Sequence, residues 1–284
     1  MRGKVLLLGD TGKVGTAVKA ALGPRTTVVG CSTRNLDAAD LGAVERMIDE
    51  TRPDAVVNAI AYMGVDNCEK APDMAFRMNV MMPKLLAQKS EQLGYQLIHF
   101  SSESVFSGAK RDFHGESDTP DPINIYGLTK YMADLVVQKG CERHFVLRIP
   151  VQFGDSTKGG QLLERMIERA RSGEALRVAD DVITSPTYSD DVATIVRAAL
   201  EGDITYGLYH VTNTGSASLH EFVSAAIEVL GLRANVERAS YKDFPMVAKL
   251  HLVTPLRQEK LPAMRHWRDA LATYCARMQL HHAA

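Results

Sequence analysis

The sequence predicts an α/β protein built on a doubly wound parallel sheet, followed by a smaller, irregular α/β lobe. Three observations carry this expectation. Short apolar runs alternate with longer amphipathic stretches through the first half of the chain. Those short runs are nearly continuous in apolar residues, as strands covered on both faces must be. After about Pro150 the rhythm loosens, and polar, Pro-containing loops such as 180–186 and 243–262 appear.

The elements follow in order. Val5–Leu8 reads as a strand and Val14–Leu22 as a helix; Thr26–Val29 is a strand and Leu41–Glu50 a helix. Ala55–Asn58 is a strand, Ala75–Leu93 a helix, and Gln96–Phe100 a strand. Tyr126–Gln138 is a helix and Phe145–Leu147 a strand. Strand–helix–strand repeated in this way implies parallel pairing with right-handed crossovers and helices on both faces. Beyond Pro150, helices are expected at Leu162–Arg171, Asp190–Leu200, Leu219–Leu230 and His266–Arg277, with a strand at Leu208–Val211. We divide the chain into a sheet domain, 1–150, and a lobe that shapes a cleft, 151–284, with some chain crossing back.

Composition narrows the function classes. The chain has 284 residues, 45% hydrophobic and 24% charged, with a formal net charge of -1. That balance leaves no excess positive charge for a nucleic-acid backbone. No apolar run approaches the roughly 20 residues that span a bilayer, so no membrane partner is expected. Val5–Leu8 is too short for a secretory h-region, and a cytoplasmic location is expected. The 4 cysteines lie far apart, with neither CxxC nor HxxxH spacing, so no metal site is expected.

The first chemistry-bearing motif is Gly9-Asp10-Thr11-Gly12-Lys13-Val14-Gly15, between the first strand and the first helix. Glycine permits a tight turn and close approach to a diphosphate, and the helix N-terminus offers unpaired N–H groups. The spacing is GxxGxxG rather than GxGxxG. At the end of the second strand, where a carboxylate would favour NAD, stand Ser32, Thr33 and Arg34. Two hydroxyls and a guanidinium suit a 2′-phosphate, so NADP(H) is preferred, with Asp37 keeping NAD(H) possible.

Tyr126 and Lys130 stand at i and i+4, on one face of a helix. An ammonium beside a phenol is expected to lower the phenol's pKa and fit it for proton transfer to a carbonyl oxygen. Ser101-Ser102-Glu103-Ser104 directly follows the fourth strand, where parallel sheets place ligands. Ser102 there would hold a carbonyl beside the phenol.

These motifs resemble the extended short-chain dehydrogenase/reductases, and within them the dTDP-4-dehydrorhamnose reductase-like branch. The resemblance extends through Arg52 to Tyr62, His99 to Ser102, Tyr126 to Lys130, Gly207 to His210, and Trp267 to Leu271. It implies a Rossmann domain binding NADP(H) and a nucleotide-sugar substrate, a 4-keto-deoxysugar, in the lobe. It also implies a homodimer. By the same resemblance Tyr126 is the catalytic acid, Lys130 binds the nicotinamide ribose, and Ser102 orients the carbonyl. Gly9, Thr11, Gly12, Lys13 and Val14 would cradle the diphosphate, and Leu36 would pack by the adenine. Ala59, Ile60, Ala61 and Asn79 would line the cofactor channel, with Pro150 beside the nicotinamide. Val65, Glu103, Ser104 and Val151 fall on the substrate side. Two of these depart from the branch, which usually has Ser-Thr-Asp-Tyr where this chain has Ser101 to Ser104. The alternative is a non-catalytic, NADP-binding regulatory subunit resembling the β subunit of methionine adenosyltransferase, whose pattern Arg148-Ile149-Pro150 resembles.

Smaller features are expected to be structural. Met63, Met74, Met78, Met81 and Met82 would pack around the third long helix, His99 would be a satisfied buried histidine, and Glu164 would lie on a solvated face.

Overall fold

The computed structural model describes residues 3–24, 26–158 and 161–283. Its centre is a parallel sheet. β1 (Gly3–Leu8) pairs with β2 (Thr26–Cys31) on one side and β3 (Ala55–Asn58) on the other. β3 pairs with β4 (Gln96–Ser102), and β4 with β5 (His144–Ile149).

Side chains alternate across this sheet, and each face buries its own helices. Val5, Leu7, Val57, Ile98 and Leu147 pack on Ala17 and Val18 of α1 (Lys13–Ala21). Leu6, Leu8, Val56, Leu97 and Val146 pack on the other face. There they meet Val44 and Ile48 of α2 (Leu41–Thr51). Both faces of every central strand are covered, which is why these strands read as unbroken apolar runs.

The stretch expected as one helix from Ala75 is interrupted. After α3 (Val65–Lys70), it runs through the end of α4 (Pro72–Phe76), a π-helical turn (Arg77–Met81) and α5 (Met82–Leu93). Pro83 has no N–H to give to the carbonyl one turn back, and the ladder widens just before it. The five methionines do not pack as one group. Met82 is core, whereas Met63, Met74 and Met81 are exposed. A helix that takes in a π turn shifts its faces, so the spacing does not report the buried side.

α6 (Ile125–Gly140) is capped by Asn124, whose side chain accepts the Gly127 N–H at 2.8 Å. A Cβ on Gly127 would lie 2.1 Å from the Ser104 carbonyl oxygen, so glycine is required for α6 to meet the turn after β4.

The second half is interleaved with the first. After β6 (Gln152–Phe153), α7 (Leu162–Arg171), β7 (Leu176–Ala179), β8 (Ile183–Thr184) and β9 (Thr187–Tyr188), the chain returns to the sheet. α8 (Ser189–Glu201) lays Val192, Ala193 and Val196 against the α1 face. β10 (Gly207–His210) pairs in parallel with β5, giving the order β10-β5-β4-β3-β1-β2. The remainder comprises β11 (Ala217–Ser218), α9 (Leu219–Val229), β12 (Val236–Ala239) and α10 (Trp267–Ala283). A separate core of Phe153, Leu163, Ile167, Tyr188, Phe222, Trp267 and Tyr274 holds this lobe together. The short strands β6 to β9, β11 and β12 were not expected: β6, β8, β9 and β11 have two residues and no readable period, and the apolar runs of β7 and β12 are broken by Arg177 and by Glu237 and Arg238.

Candidate active site

The strand order reverses between β1 and β3, since β2 lies outside β1 while β3, β4 and β5 run the other way. Crevices form at the carboxyl ends of strands at such a point. A cavity of about 340 Å³ opens there, between the sheet and the lobe.

One wall is the glycine turn and the end of β3. Gly12, Lys13 and Val14 line it, with Ala59, Ile60 and Ala61. Gly9 turns the chain at φ +88°, and its backbone packs against Ala59. A Cβ on Gly15 would sit 2.1 Å from the Gly9 carbonyl oxygen, so the helix can start this close to the strand only with glycine there. Gly12 caps α1 with no side-chain hydrogen bond, and the first turn holds no acidic residue. Thr11 Oγ1 is buried and has no protein partner among the described residues. An unopposed helix N-terminus with an unpaired buried hydroxyl fits a diphosphate.

Lys13 departs from a simple cradle. Its ammonium donates to Glu164 Oε2 at 2.9 Å and to the Gln152 carbonyl at 3.1 Å. Burial lowers its pKa, while Glu164 works the other way. Glu164 is therefore not on a solvated face; it ties α7 to α1 and also accepts from the Tyr274 hydroxyl at 3.2 Å. That pairing joins positions 151 residues apart, which helical spacing within α7 does not reveal.

The opposite wall carries the acid–base set. Ser102, Tyr126 and Lys130 all face the cavity, together with Pro150. Tyr126 and Lys130 occupy the inner face of α6, with Asp134 one turn further on. Lys130 Nζ donates to the Phe100 carbonyl at 2.6 Å and stands 3.5 Å from His99 Nε2. Burial pulls the Lys130 pKa down to about 8, against the Asp134 carboxylate, which raises it. Asp134 is itself held by Arg148 Nε at 2.9 Å, fully out of solvent. Asp134 escaped the sequence reading, although its place four residues after Lys130 was the available signal.

The expected lowering of the Tyr126 pKa is not found. Burial pushes it up to about 12, and hydrogen bonding to Ser102 offsets only part of that. The Lys130 ammonium is spent on the Phe100 carbonyl, and burial dominates the phenol. Tyr126 is thus a neutral phenol at physiological pH, with a proton to give.

Glu103, Ser104 and Val151 line the same cavity beside Ser102. The Glu103 carboxyl is buried and accepts the Thr184 hydroxyl at 2.6 Å. Burial raises its pKa to about 8, opposed by hydrogen bonds from Thr184, the Val151 backbone and Thr254. Glu103 therefore joins the turn after β4 to two loops of the lobe. Gln152, Gln161, Leu162, Leu163, Phe222 and His251 complete the lobe side of the cavity, and Met63 lines it from the sheet domain; none was anticipated there. His99 is a satisfied buried histidine, with Asn58 Nδ2 at 3.1 Å from its Nδ1.

Other expected positions stand off the cavity. Asn79 sits in the π-helical turn behind the wall. Its Oδ1 accepts the Tyr62 N–H at 2.8 Å and its Nδ2 donates to Thr129 Oγ1 at 3.1 Å. Leu36 is buried in the core beside β2, and Val65 opens α3. Ser32, Thr33 and Arg34 follow the end of β2; Ser32 is buried, and Thr33 and Arg34 are exposed. Lys110, in the loop between Ser102 and Tyr126, is paired with Asp118 at 2.6 Å.

Comparison with known proteins follows this geometry. The family model described as RmlD substrate binding domain matches residues 3–280. The spore coat polysaccharide biosynthesis protein SpsK of Bacillus subtilis is 30% identical over 95% of this chain and 96% of its own length. A dTDP-4-dehydrorhamnose reductase of Sinorhizobium fredii is 29% identical over 91% of this chain and 90% of its own. Among solved structures, dTDP-4-dehydrorhamnose reductase from Bacillus anthracis in complex with NADP superposes with a TM-score of 0.91. The two are 27% identical, with 98% of this chain and 100% of that one covered.

Proposed function

The chain belongs to the RmlD substrate binding domain family, and from that premise we propose that it is an NADPH-dependent reductase of a nucleotide-linked 4-keto-deoxysugar. The observation that carries this reading is that Ser102, Tyr126 and Lys130 converge on one cavity with the glycine turn. Two relatives that match over nine-tenths or more of both chains are named as dTDP-4-dehydrorhamnose reductases, which favours an enzyme over a regulatory nucleotide-binding subunit.

NADPH, when bound, supplies the hydride. The unpaired N–H groups at the start of α1 and the Thr11 hydroxyl hold its diphosphate, and Lys130 its nicotinamide ribose. Ser32, Thr33 and Arg34 hold the 2′-phosphate, and NAD(H) remains a weaker cofactor. Gly9 sets the turn, Leu36 flanks the adenine, and Asn79 acts from behind by fixing Tyr62. Ser102 donates to the substrate carbonyl, and Tyr126 delivers its proton to the oxygen as negative charge develops there. The phenol is protonated before the reaction, since burial holds its pKa above the ordinary value. Val65, Glu103, Ser104 and Val151 shape the sugar side.

The assembly we infer is a homodimer working in the cytoplasm. Leu128 and Leu135 are exposed along α6, with Met81 exposed on the neighbouring π turn, which supports a buried face between copies. Among the described residues no helix is long and apolar enough to cross a membrane.

The test is direct. The protein is incubated with NADPH and a panel of nucleotide 4-ketosugars, and cofactor oxidation is followed alongside product analysis. Oxidation with one sugar, giving the alcohol, supports the reading. No oxidation across the panel, with a stable complex recovered with a methionine adenosyltransferase catalytic subunit, overturns it. Turnover without net oxidation would point to an epimerase instead.

A further inference from the structure

Ser102 is the first of a row of hydrogen-bonding groups. It shares the cavity wall with the Tyr126 phenol, and its Oγ accepts the Ser104 N–H at 3.1 Å and reaches Ser104 Oγ at 3.0 Å. Ser104 Oγ in turn lies 3.1 Å from His251 Nε2. Ser102, Ser104 and His251 are all buried, and all line the cavity. The second ring nitrogen, His251 Nδ1, is buried and has no protein partner among the described residues. Asn124 keeps the row in place. Its Oδ1 caps α6 beside Tyr126, and its Nδ2 donates to the Lys249 carbonyl at 2.9 Å, two residues before the imidazole.

Hydroxyls in such a row have two settings. With a hydrogen on His251 Nδ1, they point from Tyr126 toward the ring. With a hydrogen on Nε2, they point from the ring toward the phenol oxygen and stabilise it once its proton has gone.

We propose that His251 is a positioning and proton-relay residue for Tyr126, acting through Ser104 and Ser102. The inference rests on the reductase reading above. When Tyr126 has given its proton to the substrate oxygen, the Ser102 hydrogen moves to the phenolate. The Ser104 hydrogen replaces it, and the Nε2 hydrogen of His251 moves to Ser104. Water entering the cavity returns one proton to Nδ1. The sum is one proton taken from solvent for the one placed on the substrate. The imidazole is left as its Nδ1–H tautomer with no lasting charge, and exchange of protons with water in the cavity restores the Nε2–H tautomer before the next turnover.

Two experiments test this. In the first, His251→Ala and His251→Phe are assayed with NADPH and the accepted 4-ketosugar. The expected result is a fall in kcat of roughly tenfold or more, with NADPH affinity within about twofold of wild type. Added imidazole should raise His251→Ala but not His251→Phe, whose ring fills the space. Unchanged kcat overturns the proposal, as does a parallel loss of NADPH affinity without imidazole rescue. The second needs no turnover. Nitrogen NMR of the histidines in NADP-loaded protein should show His251 changing its tautomer populations in Ser104→Ala and Tyr126→Phe. Unmoved His251 signals in both variants sink the relay. A coupled His251 in a protein that reduces no sugar would sink the reductase reading alone.

Discussion

The two walls of the cavity are built in different ways. The cofactor wall is backbone: the glycine turn, the end of β3 and the N-terminus of α1, all set within about one βαβ unit. The substrate wall is side chains from distant segments. Glu103 meets Thr184 and Ser104 meets His251, across 81 and 147 residues. The first wall binds a constant ligand by local geometry, which tolerates little change. The second is held by side-chain pairs that reach across the chain.

That contrast can be broken at four points. The largest effect is expected at Tyr126. Tyr126→Phe should lower kcat by about 10²- to 10⁴-fold while leaving NADPH affinity nearly unchanged. An NADPH titration showing equal loss of binding would mean that the two walls are not separable. Next comes the backbone wall. Gly15→Ala forces a Cβ against the Gly9 carbonyl and should cost about 3 kcal/mol of stability with loss of NADPH binding. Wild-type melting and titration curves for this variant would contradict the close approach.

The third point is the Glu103 carboxyl. Its pKa is raised from 4.5 to about 8 in the folded protein. Between those values the folded state holds a proton that the unfolded state has lost, so stability falls as pH rises through that window. Relative to wild type, Glu103→Gln should gain stability from pH 4.5 to 8, at most about 1.4 kcal/mol per unit. Melting temperatures that keep a constant offset across that range would show the carboxyl to be ionised throughout. The smallest effect is at Arg34. Arg34→Ala should weaken NADPH about tenfold and leave NADH unaffected. Equal weakening of both cofactors would remove Arg34 from the 2′-phosphate.

How far the sequence could be read follows the same division. β3, α2 and α7 were legible because apolar period and turn residues are local signals. The glycine turn, Ser102 and the Tyr126/Lys130 pair were legible because each depends on a position at a strand end or on one helix face. Their electrostatics were less so. The spacing placed an ammonium near the phenol, but burial, a property of the whole fold, decides its pKa. His251 and Thr184 carry no local mark of their role, since nothing in residues 180–186 or 243–262 states which turn they will meet. The π turn at Arg77–Met81 hid the true face of its helix, and with it the role of Asn79 as a clamp on Tyr62.

The return of α8 and β10 to the sheet has an evolutionary and practical consequence. A chain cut at Pro150 would leave β5 as an open edge and strip Val192, Ala193 and Val196 from the face of α1. The lobe therefore cannot be grafted from a relative as one cassette through a single splice. A chimera that changes sugar preference needs paired junctions on either side of the 189–210 segment, so that the nucleotide-holding half keeps its borrowed helix and strand.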